Sequence, residues 1–342
     1  MIKTIDYQEI DKQRTDNNYV LIDVRSEGEY KKERIPNSIN IPLFNDEERK
    51  IIGTVYVKES VERAKELGVE AAAKKLPSIY KEIKDLDKKF NKLIFYCARG
   101  GMRSSSIVSL LSSLGVNVLK LSGGYKGYRK FINENLPEIV KKVNFAVLYG
   151  NTGVGKTKIL QELEKRGYDV LDLESYANHR GSLLGSIRMG EQNSQKLFEA
   201  YVYDALRKRK SNTVFVEGES KRIGRIIIPD YLFTSMEKGK RIKIDTNMDV
   251  RIKNIMDEYV SDNDEELINT VNLLRIHLSD VNVDRYITEI KNKKYRVVIE
   301  ELMTKYYDPM YNYKNKEFEI IVNGDNIQDA TDKITEIIGI YK

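Results

Sequence analysis

Cysteine is almost missing: 342 residues contain one, at position 97, so no disulfide can form within the chain. Two histidines and that single thiol cannot assemble an ordinary zinc site. No apolar run approaches the roughly 18 residues that a membrane-spanning helix needs. The opening MIKTIDYQEI lacks the hydrophobic core of a signal peptide. The expectation is a protein with no membrane association, in a reducing, cytoplasmic setting. Charge is abundant but nearly balanced, 58 Lys+Arg against 52 Asp+Glu for a net of +6, and 41% of residues are hydrophobic, enough for a folded interior. The length is generous for one domain and natural for two.

YVLIDV at 19–24 is β-branched and apolar, a buried strand that delivers Asp23 and Arg25 to its carboxyl edge. INIP at 39–42, KLIFYC at 92–97 and VNVLKL at 116–121 have the same character. Between the last two, Ile107, Leu110, Leu111 and Leu114 recur at helical spacing, and Gly115 supplies a stop. SGGYKG at 122–127 reads as a glycine-rich loop, followed by a closing helix, a break at Pro137 and a basic connector. Strand, glycine loop and helix then recur in NFAVLYG and NTGVGKTKILQELEKRG, with further strands at TVFVE (213–217) and RIKID (241–245) and a charged helical stretch from about 246 to 315. The fold class is therefore α/β with parallel sheets, divided into a first domain at 1–132, a linker at 133–143 and a second domain at 144–342.

The lone thiol sits in FYCARGGMRS, at the end of a strand and before a helix start. Backbone N–H groups converge at such a place into an anion cradle. Arg99, Gly100, Gly101, Met102, Arg103 and Ser104 form the loop, and its cationic groups stabilise the thiolate, the nucleophilic form of Cys97. Asp23 and Arg25 read as a hydrogen-bonded scaffold beside it. LIDVRSEGEY, RIPNSINIP and FYCARGGMRSSS, in that order, resemble a rhodanese domain across the whole first half. That resemblance implies chalcogen transfer with Cys97 as the carrier. The spacing from Cys97 to Arg103 is C-x5-R, a pattern also found in cysteine-dependent phosphatases. It leaves room for a tetrahedral oxyanion, so phosphoester hydrolysis or sulfur transfer, joined to a nucleotide-binding domain, is the competing reading.

GNTGVGKT fits G-x-x-x-x-G-K-[ST] between an apolar strand and an amphipathic helix. Gly150, Asn151, Thr152, Gly153, Val154 and Gly155 let backbone amides approach phosphate oxygens, Lys156 adds charge, and Thr157 can hold Mg²⁺. The usual companion strand ends in Asp, whereas TVFVEGES ends in Glu217 and Glu219, which leaves ATP or GTP hydrolysis open. Asn178, His179 and Arg180 form a polar cluster expected, with Glu217 and Glu219, at a substrate or magnesium site, with helix capping as the bland alternative. His277 reads as a helix-face residue. RKRK (207–210), KRIGR (221–225), KGKRIK (238–243) and KNKKYR (291–296) lie among tyrosines, a composition suited to RNA, with acidic stretches such as DNDEE (262–266) offsetting them.

Taken together, GTVYVKES, YCARGGMRS, LSGGYKGYRKF, GNTGVGKT, LDLESYANHRGS, VFVEGESKRIG and YYDPMY resemble the tRNA 2-selenouridine synthase family over nearly the full chain. Ala98 stands where that family often has an aromatic residue, and Gly218 where a charged one is common. The resemblance implies replacement of sulfur by selenium in 2-thiouridine at the tRNA wobble position, with selenophosphate and geranyl diphosphate as co-substrates. An S-geranyl intermediate turns the sulfur into a leaving group. It further implies that residues 150–157 hold the diphosphate with Mg²⁺, that the cysteine loop holds selenophosphate, and that an enzyme supplying selenophosphate is a partner.

Overall fold

The computed structural model describes residues 2–13, 18–181, 185, 187, 189–260, 264–310 and 317–339. Two units emerge, Met1–Leu136 with Glu199–Asp204, and Pro137–Phe198 with Ala205–Lys342. The first is built on β1 (Thr4–Ile5), β2 (Tyr19–Asp23), β3 (Ile39–Asn40), β4 (Lys92–Tyr96) and β5 (Val118–Leu121), in the order β1-β5-β4-β2-β3. Every pair is parallel. Such sheets are covered on both faces, which is why β2 and β4 read as unbroken apolar runs. Ile22, Leu93 and Phe95 are fully buried with Ile83, Val108 and Leu111 in one core.

The helix Met102–Ser113 buries Ser104, Ile107, Val108 and Leu111. Leu110 and Leu114, expected on that face, are 39% and 53% exposed. The inward stripe is set by Ser104, which must turn toward the thiol, and the residues three, four and seven positions on follow it. Gly115 stops the helix in a left-handed conformation, φ +81°. After β5 the helix Gly124–Val140 begins at once and runs through Pro137, where a break was expected. The proline ring removes a single donor and the helix ends one turn later, so the expected linker segment is helical as far as Val140. Two helices that the sequence reading did not anticipate, Asp46–Lys58 and Val61–Asp87, are opened by Asn45 and Ser60, whose side chains accept from Glu48 and Arg63 amides.

In the second unit, β6 (Asn144–Tyr149), β7 (Val170–Leu171), β8 (Thr213–Glu217), β11 (Lys240–Asp245) and β12 (Ile320–Asn323) form the parallel sheet β12-β11-β6-β8-β7. Between β8 and β11 a small antiparallel hairpin pairs β9 (Arg222–Ile223) with β10 (Ile226–Ile227). The charged stretch folds as the helices Met248–Tyr259, Glu265–Leu273, Asp280–Lys291 and Tyr295–Leu302, with a core of their own around Val271, Leu274, Val283, Ile290 and Val298. Among the described residues no helix is long and apolar enough to cross a membrane.

Candidate functional site

Strand β4 ends at Tyr96, and the next residue is Cys97, 3% exposed. Its Sγ lies 3.2 Å from the Ser104 hydroxyl. Burial pushes the thiol pKa up, but the Ser104 hydroxyl, the amides of Ser104 and Arg99, and the Arg103 charge outweigh it, so the thiol titrates below its ordinary value of 9.0. Among the described residues the amides of Gly100 through Arg103 donate to no backbone or side-chain oxygen. They lie at the N-terminus of the helix Met102–Ser113, where such groups attract an anion. Arg103 is held by Glu29, 2.7 Å away, and Glu29 also meets Arg49 at 3.7 Å. Burial raises the Glu29 pKa and these arginines lower it further, leaving it below its usual value. Glu29 was not singled out from sequence, because its partner lies 74 residues away.

The loop is closed from behind by Gly123 and Gly124. The Tyr125 and Lys126 amides donate to the carbonyls of Cys97 and Ala98, each at 2.9 Å. Gly124 has φ +56°, and a Cβ there would collide with the Cys97 carbonyl and the Gly100 amide. The SGGYKG segment is thus the back wall of the cysteine loop. Asp23 and Arg25 are scaffold, as expected. Their side chains are paired at 2.6 Å with both buried, and Arg25 also donates to the Glu33 carbonyl at 2.5 Å and covers the Tyr125 ring.

The helices Asp46–Lys58 and Val61–Asp87 wall a groove of about 1290 Å³ over this loop. Val57 and Val69 stand 80% and 69% exposed in it, near Tyr56, Met102 and Leu110. Apolar side chains gathered in a concavity mark a binding surface. Arg49, Lys50, Lys65 and Arg99 line it too, so an apolar ligand carrying negative charge is complemented.

In the second unit the glycine loop follows β6. Gly153 and Gly155 adopt left-handed φ values of +81° and +91°. At Gly153 a Cβ would meet the Arg251 carbonyl at 2.9 Å. Lys156 opens the helix Lys156–Lys165, and its Nζ rests on the Gly150 carbonyl at 2.9 Å, poised over the loop. Thr157 is next on that helix. Braces come from far along the chain: Arg251 donates to the Thr152 carbonyl at 3.0 Å and Asn254 to that of Gly153 at 2.8 Å. Arg251 in turn is gripped by both Asp308 oxygens at 2.9 and 2.6 Å, which gives the YYDPM segment its role. Thr152 stands at the edge of an apolar pocket of about 40 Å³ lined by Ile255, Tyr259, Val271, Val298 and Leu302.

Glu217, the last residue of β8, is beside the loop strand, paired in register with Leu148. Its Oε1 accepts from the Glu174 amide at 2.8 Å, and its Oε2 is buried with no partner among the described residues. Burial first, then neighbouring acids, hold the Glu174 and Glu217 pKa values well above the ordinary range. Burial also raises that of Glu219, against the pull of Lys156. Gly218 is explained by the Tyr149 ring, 2.5 Å from where its Cβ would be. Asn178 ends the helix Leu173–Ala177 at φ +51° and ties down the Met189 and Glu191 carbonyls, a capping role. Arg180 donates to the Ile187 carbonyl at 2.7 Å and covers the Tyr259 ring. His179 keeps a buried Nδ1 without a partner among the described residues; burial and then Arg180 lower its pKa. His277 follows a short 3-10 turn, Leu274–Ile276, instead of lying on a helix face.

Among the described residues no three acidic, histidine or cysteine side chains group to cage a metal. Thr157 is the side chain of the glycine loop that would hold a magnesium ion beside a bound phosphate. Of the basic runs, 291–296 is largely neutralised: Lys293 pairs with Asp264 at 2.7 Å, Lys294 with Glu289 at 3.3 Å, and Arg296 with Asp249. Arg222 and Arg225 are exposed on the β9–β10 hairpin, whose Ile223 and Ile226 are buried. Residues 182, 262, 263 and 311 of the sequence motifs lie outside the described residues.

Comparison with known proteins covers both units. Residues 6–131 match the rhodanese-like domain family, and residues 143–277 match the family described as tRNA 2-selenouridine synthase AAA domain. A tRNA 2-selenouridine synthase of Sulfurovum sp. (strain NBC37-1) is 30% identical over 87% of this chain and 89% of its own length. Another, of Nitrosomonas europaea, is 32% identical over 70% of this chain and 63% of its own. Among solved structures, an N-terminal domain from Clostridium difficile 630 is 44% identical, spans 38% of this chain and 98% of that one, and has a TM-score of 0.35. With the cysteine loop and the glycine loop each inside a matched segment, and a relative aligned almost end to end, the chain belongs to the tRNA 2-selenouridine synthase family.

Proposed function

We propose that this protein is an RNA-modifying transferase that replaces the sulfur of wobble 2-thiouridine in tRNA by selenium, in two steps on two loops. A thiocarbonyl carbon is a poor electrophile and bare sulfide a poor leaving group, so the sulfur is first alkylated. The glycine loop takes the diphosphate of geranyl diphosphate, with Lys156 countering the charge that builds on it. The carbon–oxygen bond breaks, the diphosphate departs with the electron pair, and the geranyl carbon bonds to sulfur. Thr157 would hold magnesium here, and the ion would supply Lewis-acid charge stabilisation. In the second step the cysteine loop supplies selenium from selenophosphate, selenium bonds to C2 of the base, and sulfur leaves as geranylthiol. Arginines and lysines of the second unit, the Arg222 and Arg225 hairpin among them, supply charge for the RNA backbone.

The observation that carries this reading is the company each loop keeps. The phosphate-binding loop has an apolar pocket at Thr152, which suits a prenyl chain and must widen to admit one, and the thiolate loop faces an apolar groove rimmed by cations. The test is nucleoside mass spectrometry on 2-thiouridine tRNA incubated with geranyl diphosphate, with and without selenophosphate. A geranyl adduct lost in Lys156→Ala and a selenium product lost in Cys97→Ala are expected. Unchanged 2-thiouridine throughout, with RNA binding verified, refutes the proposal and turns attention to a phosphatase acting on phosphoesters or to a sulfurtransferase.

A further inference from the structure

Electron balance limits how a thiolate can act on selenophosphate. Attack of the Cys97 sulfur on selenium would have to expel phosphorus with the bonding pair, a reduction of phosphorus to the phosphite level. Attack on phosphorus needs no such change. From the geometry of the loop we infer that Cys97 becomes phosphorylated: its sulfur bonds to the phosphorus of selenophosphate, the phosphorus–selenium bond breaks, and hydroselenide leaves with the electron pair. This rests on the reading of the loop as the selenophosphate site and deepens it.

Four observations support the inference. Cys97 and Arg103 are separated by five residues, and the amides of Gly100 to Arg103, which donate to no oxygen among the described residues, lie at the helix start beside the thiol, where a phosphoryl group would be complemented. Arg103 is oriented by Glu29 at 2.7 Å, a charge-assisted contact that fixes a fork beside the cradle. The Ser104 hydroxyl, 3.2 Å from Sγ, is placed to donate to the sulfur when it leaves phosphorus again. Lastly, a phosphatase loop normally needs an acid for its leaving group, and the carboxylate beside this loop, Glu29, is tied to Arg103 and Arg49. Hydroselenide is so weakly basic that it departs without one.

The remaining atoms follow. Hydroselenide, released into the groove, forms a bond to C2 of the alkylated base. The C2–sulfur bond breaks, sulfur takes the pair, and the selenium proton ends on the departing thiolate. Water then attacks the phosphocysteine, the phosphorus–sulfur bond breaks, and phosphate and the Cys97 thiolate are regenerated. No oxidant or reductant enters.

The experiment uses the full chain, geranylated 2-thiouridine tRNA, and selenophosphate carrying radioactive phosphorus and radioactive selenium. Reactions are quenched in denaturant within one turnover, and each label is counted on the protein. Phosphorus without selenium is expected, absent in Cys97→Ala. It should persist about tenfold longer in Ser104→Ala, where the leaving sulfur loses a hydrogen bond to a charged group, and return to normal in Ser104→Thr. Selenium on the protein without phosphorus overturns the inference and leaves the proposed function standing. Neither label on the protein, while selenated nucleoside still forms, overturns it too. Phosphorus on Cys97 with no selenated nucleoside sustains the inference and refutes the tRNA reading in favour of a phosphatase.

Discussion

Replacing Gly124 by alanine separates the cysteine loop from everything else in the protein without touching a reactive group. At φ +56° an L-residue costs about 1 kcal/mol in backbone strain. The added methyl meets two backbone atoms, the Cys97 carbonyl and the Gly100 amide, neither of which can swing away like a side-chain end. The loop or the helix start must move, and the hydrogen bonds from Tyr125 and Lys126 to the loop carbonyls are then lost, at about 1 kcal/mol each. The first unit should lose about 3 kcal/mol of stability in thermal melts. Selenium transfer should fall on the order of a hundredfold, the usual penalty for a misplaced reacting group. Geranylation, which the proposed scheme gives to the other loop, should be unchanged. Gly115→Ala is the control, since it has φ +81° but nothing within 4 Å of its Cβ. It should carry the strain alone and keep selenium transfer. Wild-type selenium transfer in Gly124→Ala would refute the claim that the SGGYKG segment shapes the cysteine loop.

Alkylation of Cys97 by iodoacetamide should rise with pH with a midpoint below 9.0, because the thiolate is favoured in the fold, and Ser104→Ala should shift the curve upward; a curve unmoved by that change removes Ser104 as the main stabilising contact. Glu217 has a raised pKa in the fold, so the stability it confers is present at low pH and is lost as pH rises from the ordinary 4.5 through the raised value. Glu217→Gln should therefore flatten the pH dependence of the melting temperature and be the more stable form at pH ~8; parallel curves for the two proteins would contradict this. Asp308→Asn should loosen Arg251 from Thr152 and slow geranylation about tenfold, the loss expected of one charge-assisted pair, without altering alkylation of Cys97.

Much of this was legible in the sequence because the chemistry is local. A strand, a glycine turn and a helix start are contiguous, so Cys97 to Ser104 and Gly150 to Thr157 announce their cradles within eight residues each. What escaped was non-local or too short. Glu29 reaches Arg103, and Asp308 reaches Arg251, from sequence distances where no spacing rule applies. The edge strands β1 and β7 have two residues each, below the length at which periodicity speaks. Leu110 and Leu114 misled because a helix inside an α/β unit is oriented by what its first turn must contact, here Ser104 on the thiol, as much as by its leucines. Asn178 and Arg180 looked reactive by composition and are tied to carbonyls.

The order of strands in the second sheet has a consequence for synthesis. All five strands of the first sheet are made by residue 121, so that unit's sheet can close as they emerge, while the second unit is still being synthesised. The second cannot. Strand β12 at Ile320–Asn323 pairs with β11, and the helix Ile327–Ile338 reaches Arg166 beside the glycine loop's helix through Asp332 and Gln328. Half-made chains therefore carry a complete cysteine loop and a glycine loop without Arg251 and Asp308, and on the proposed scheme they would hold selenophosphate but not geranyl diphosphate.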